Sequence, residues 1–292
     1  MRLKSALRRG VAAAVIAGIV VSSGIPAYAD RWDIANGDIT VKAGDAEGKN
    51  KVSQGETIDK DDTNTVITGE SDKNTVTIDT SEGNVDVTFD DLKIDVSGKT
   101  EVDGSGDSPV DAGKAAVTVQ GDHDAAIELD GANELKSGSH NAGFEKNGHE
   151  SSGKLTIKDD NDTKGSLTAE GGKDGAGIGG GYESGAGNIE ITGGTVEAVG
   201  GEGAAGIGGG VYGPGRDIEI SGGKVSATGG SYSGPEEDPR PGAAGIGDGA
   251  GAWSEIDPDA PSSNPNNIII SGDAEVEAKA GASTGGETAA IG

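Results

Sequence analysis

The sequence predicts an all-β protein, a right-handed parallel β-helix built as a three-sheet solenoid with glycine-rich corners. Three observations carry that prediction. The run Ala-Gly-Ile-Gly recurs at 176–179, 205–208 and 244–247, and Ala-Ile-Gly stands at 290–292. Each copy is preceded by an Ile-x-Ile or Leu-x-Ile triplet and then a Val-x-Ala or Leu-x-Ala triplet, always in that order. Within each triplet the middle residue is mostly polar, so one face of a short strand is apolar and the other is wet. A supersecondary unit repeated this way is one rung of a solenoid, stable only when neighbouring rungs stack.

Taken in order, the first strands carry Leu155/Ile157, Ile189/Ile191, Ile218/Ile220 and Ile268/Ile270. The second strands carry Leu167/Ala169, Val196/Ala198, Val225/Ala227 and Val276/Ala278, and the third positions are Ile178, Ile207, Ile246 and Ile291. This divides the C-terminal half into coils 153–186, 187–215, 216–266 and 267–292. Paired glycines at the corners are expected to supply positive φ. Toward the N-terminus, Ile39/Val41, Val76/Ile78, Val85/Val87, Ile94/Val96, Val117/Val119 and Ile127/Leu129 alternate in the same way. Asn-Ala-Gly-Phe at 141–144 reads as a degenerate third-strand element with Phe144 in the Ile slot. Residues 43–64 and 98–114 read as polar loops. The expected division is a cap or edge segment over 30–60, containing Trp32, and a continuous β-helix over 61–292.

Residues 1–29 have the plan of a secretory signal peptide: basic Arg2, Lys4, Arg8 and Arg9, an apolar Val11–Val21 stretch, and Ala27-Tyr28-Ala29 as a cleavage site. The expected location is therefore extracellular, with surface association as one form of it. A net charge of −27 argues against nucleic acid as a partner, because phosphate recognition needs basic clusters. Membrane insertion is not expected, since the leader's apolar run is too short to span a bilayer. Only 32% of residues are hydrophobic and 3% aromatic, a composition shared with disordered chains. The fixed offsets of Ile and Val argue for order instead.

Ala-Ile-Glu-Leu-Asp-Gly-Ala-Asn-Glu-Leu-Lys-Ser-Gly at 126–138, Gly-Ser-Leu-Thr-Ala-Glu-Gly-Gly at 165–172 and the Ala-Gly-Ile-Gly copies resemble a known family. It comprises the carbohydrate-binding β-helix domains of secreted, mostly Gram-positive bacterial proteins, which share the pectate-lyase-like superfold. The likeness covers 115–292 well and 35–115 loosely. It implies polysaccharide or glycan binding, in some members of acidic sugars together with calcium, and no catalytic centre.

The sequence offers two candidate sites. Tyr182, Tyr212 and Trp253 come after the third-strand element in successive coils, which sets scarce aromatics along one edge, where ring faces stack on sugars. Tyr232 comes after a second strand and is expected to face elsewhere. Asp159, Asp160 and Asp162, with Asn161 and Gly165, form a short oxygen-rich loop of the kind calcium uses, although the EF-hand Glu is absent. Such residues also serve simply as turn formers. An enzyme is not expected. The mature chain has only Arg31, Arg216 and Arg240 as arginines, adjacent Asp pairs on a strand point to opposite faces, and His123, His140 and His149 lack metal-ligand spacing. The competing class is a structural or adhesin stalk with a protein ligand.

Overall fold

The computed structural model describes residues 30–46, 48–98, 100–102, 111–233, 241–252, 267–283 and 288–292. The proposed signal peptide (1–29) and Trp253 lie outside them. The chain is a right-handed parallel β-helix with three faces. Leu155, Ile189, Ile218 and Ile268 pair successively on the first face. Leu167, Val196, Val225 and Val276 do so on the second, and Phe144, Ile178, Ile207, Ile246 and Ile291 on the third. Every register expected from the triplets is observed, and Phe144 occupies the Ile column.

The reason is burial. Ile178, Ile207, Ile246, Leu155 and Ile220 are fully buried, whereas the alternate residues Thr156, Glu190 and Glu219 are half-exposed. Stacking at about 4.8 Å per rung brings like side chains into contact. Each buried Ile stabilises by roughly 1.5–3 kcal/mol.

The N-terminal coils differ. The strands Val85–Asp95 and Ala125–Lys136 each cross both the first and second faces without a break. The second of these bends where its register slips between Asp130 and Glu134, at Gly131 with φ +64°. Buried Asn133 secures the bend: its amide donates to the Asp130 and Ser166 carbonyls, and its oxygen accepts the Leu92 N–H at 2.9 Å. Phe89 and Phe144 meet in the core with ring centroids 5.9 Å apart.

Residues 43–64 are not a loop. Lys49–Gln54 and Thr57–Thr63 form an antiparallel hairpin that pairs with Ile39–Ala43 and closes the third sheet. Its inward residues are Asn50 and Val52, and Asn50 binds Thr65 Oγ1 and the Asp86 carbonyl. A period-two pattern half made of a buried amide is invisible to a hydrophobic reading. Asp62 from this hairpin accepts the indole N–H of buried Trp32 at 2.8 Å, and Lys60 Nζ lies 5.4 Å from the ring centre. The stretch 98–114 likewise contains two short antiparallel strands, Thr100–Val102 and Asp111–Gly113.

The glycine pairs also act differently from expectation. Gly194 and Gly223 do hold φ of +83° and +78°. After the second strands, however, Gly172, Gly201, Gly230 and Gly281 stack directly over one another with ordinary φ. A Cβ on Gly201 would overlap the Gly172 carbonyl, and one on Gly230 would overlap that of Gly201. Close backbone approach, not backbone handedness, demands glycine there.

Candidate functional site

On the third face, the coils of Phe144, Ile178, Ile207 and Ile246 have only two extended residues each, and the chain folds back around them. Ala176 N–H donates to the Gly180 carbonyl at 3.0 Å, Ala205 to Gly209 at 2.9 Å and Ala244 to Asp248 at 3.0 Å. Each neck brings the segment before the strand beside the segment after it. In the Phe144 coil the neck is closed by a side chain instead, as Ala142 N–H donates to Glu145 Oε2 at 3.1 Å.

This geometry assembles a row of rings. Tyr182 N–H donates to the His140 carbonyl at 2.8 Å, and the two rings stand 5.0 Å apart, tilted by 37°. Tyr182 and Tyr212 are 5.8 Å apart and nearly perpendicular, at 70°. They share an edge, as the sequence indicated, but not a column. Glu183 N–H donates to the Val211 carbonyl, so Tyr212 is the counterpart of Glu183, and buried Val211 is that of Tyr182. The rings therefore present a stepped surface with faces at an angle. A single flat plane is not what they form.

Acidic side chains lie along the His140–Tyr182 end of the row. His140 Nε2 lies 3.2 Å from Asp174 Oδ2. Burial pushes the Asp174 carboxyl up, against the pull of Lys173 and His140. Burial and the hydrogen-bonded Glu183 carboxylate raise the Tyr182 phenol, which stays a neutral donor. Glu202 accepts both the backbone N–H and the hydroxyl of Ser233, and the hydroxyl bond holds its carboxyl low.

Backbone strain concentrates here. Before the third strand, His140, Asp174 and Gly203 occupy one position in successive coils, with φ of +71°, +69° and +72°. After it, Glu183, Tyr212 and Gly251 do the same at +56°, +66° and +69°. Glycine fills the left-handed position in one coil of each set, and a side chain fills it in the other two. A side chain there costs roughly 1–2 kcal/mol. Such strain persists where surroundings enforce it and clusters at functional sites.

The sequence pattern did not single out His140 and Asp174. The available signal was register: both stand four residues before the third-strand apolar residue. A search for aromatics after that element passes over the imidazole before it. Tyr232, expected to face elsewhere, bridges to Ser283 through its backbone, but its ring packs at Gly203 beside Val211, next to the row.

The Asp159 loop does not fit a calcium ion. The Asp159 side chain is turned inward, with Oδ1 unpartnered and Lys164 Nζ 3.7 Å from Oδ2. Asp160 points outward toward Lys158 at 3.3 Å, and Asp162 is exposed. Neighbours on a tight turn diverge. Among the described residues no three acidic or histidine side chains converge to hold a metal.

Next to the neck of the Phe144 coil, Glu145 and Lys146 stand where the following coil has Gly179 and Gly180. Burial raises the Glu145 carboxyl to about 7, with Glu150 adding to the effect. Burial lowers the Lys146 ammonium to about 8, and that ammonium donates to the Ser151 and Gly187 carbonyls at 3.0 and 2.8 Å.

Comparison with curated proteins finds no match, and comparison with solved structures finds none either. A family model described as a beta helix repeat matches residues 163–182, 189–211 and 218–250, which supports kinship with parallel β-helix repeat proteins and includes Asp174, Tyr182 and Glu202 of the ring site.

Proposed function

We propose that this is a secreted, non-catalytic carbohydrate-binding β-helix protein that holds a polysaccharide along the row His140–Tyr182–Tyr212. The observation that carries the reading is the row itself: scarce aromatics collected in contact on one edge, with carboxylates beside Tyr182, and with His140 and Tyr212 on left-handed backbone that glycine would fill more easily. Aromatic faces bind the apolar C–H faces of sugars, and the planar polar groups beside them match hydroxyls. A solenoid makes a rigid base for such a surface. Trp253, which comes after the same element one coil on in the sequence, lies outside the described residues and is kept in this reading on its sequence position alone.

A glycan array probed with the chain, in calcium and again in EDTA, tests the proposal. Binding that survives EDTA and disappears in a Tyr182→Ala/Tyr212→Ala variant is the expected result. Binding lost in EDTA would return calcium bridging to the account. A folded protein that binds no glycan in either condition would sink the reading and favour a stalk with a protein ligand.

A further inference from the structure

The charge of the ligand is legible at the same site, provided that the ligand is a carbohydrate as proposed above. Asp174 and Glu183 lie beside Tyr182, Glu202 lies beside Asp174, and each is hydrogen-bonded, Glu183 to the Tyr182 phenol. Asp174 is held by His140 and Glu202 by Ser233. Asp174 and Glu183 sit on left-handed backbone, so these acids occupy places where a side chain is disfavoured. The cationic groups among these neighbours are Lys173 and, when protonated, His140. Around them the whole chain carries −27. A uronic acid would meet net repulsion, because these carboxylates outnumber the cations Lys173 and His140, and a neutral sugar would leave that excess of negative charge uncompensated. An ammonium group satisfies both features, through the carboxylates and through the ring faces.

We propose that the site recognises an amino-sugar polymer whose 2-amino groups are free and protonated. The sugar ring packs on the stepped tyrosines, and its ammonium is taken by Asp174 and Glu183.

The test titrates the chain with glucosamine oligomers, with the same oligomers fully N-acetylated, and with oligolysine of equal charge, at low and at high salt. The free amines are expected to bind about tenfold more tightly than the acetylated form, an advantage that shrinks as salt screens it. Asp174→Asn with Glu183→Gln should remove the advantage and leave residual sugar binding. Tyr182→Ala with Tyr212→Ala should abolish binding of both oligomers. Equal affinity for the acetylated oligomer would overturn the charge assignment and leave the carbohydrate reading standing. Oligolysine bound as tightly as the amino sugar, or an amine preference that persists without the tyrosines, would reduce the effect to bulk charge and also overturn it. Failure of both oligomers, with a folded protein silent on the glycan array, would remove the carbohydrate reading itself.

Discussion

The coils before residue 150 and those after it solve one packing problem in two ways. In the earlier coils one long strand runs across two faces, the bend is held by the amide of Asn133, and the interior is filled by Phe89 and Phe144. In the later coils the strands are two to six residues long, glycine columns let backbones touch at the corners, and Ile, Val and Ala suffice inside. Bulk in the core and contact at the corner are alternatives: a coil whose backbone closes tightly needs less side chain to fill it. The ring site lies at the transition, where His140 from the last Phe-type coil meets Tyr182 from the first Ile-type one.

Removing bulk should hurt most where bulk fills the coil. Phe144→Ala is expected to cost about 3–5 kcal/mol in a denaturant titration. A cost no greater than for Ala in place of Ile at 207 would erase the distinction between the two regions.

The two buried ionisable groups at the transition sharpen it next. With Glu145 raised to about 7 from 4.5, the folded state holds a proton that the unfolded chain releases. Its contribution is therefore present below pH 4.5 and lost as pH rises to 7, by roughly 3 kcal/mol in all. Lys146, lowered to about 8 from 10.5, works oppositely: stability recovers between pH 8 and 10.5, where the unfolded chain binds more protons. In Glu145→Gln the Ala142 neck bond keeps an acceptor while the titration disappears. Thermal melts across the acidic range should then lose their slope between pH 4.5 and 7, and an unchanged slope would locate it elsewhere.

Contact at the corner is tested by Gly201→Ala, whose Cβ would overlap the Gly172 carbonyl. About 1–3 kcal/mol is expected from forced overpacking. No measurable cost would mean that the later coils close less tightly than described.

The smallest effect concerns strain kept for binding. Asp174→Gly should leave stability level or raise it by up to about 1 kcal/mol, because Gly203 already fills that position in the next coil. Calorimetry with glycan should show weaker binding for the same variant. Clear destabilisation would make Asp174 a structural residue.

The triplets and Ala-Gly-Ile-Gly runs determined the fold class and the third-face column from Phe144 to Ile291, because a half-buried strand writes its inward face into every second residue. Tyr182 and Tyr212 could be named from the sequence for the same reason, since each comes at a nearly fixed distance after a recognisable element. The Lys49–Thr63 hairpin could not, because its inward face is half a polar Asn50 whose partners, Thr65 and Asp86, are remote in sequence. Nor could the His140–Tyr182 contact or the inward turn of Asp159. Those depend on how each neck closes and on the offset between coils, which only stacking fixes. Local pattern records which way a residue faces, and the tertiary structure alone decides what it meets there.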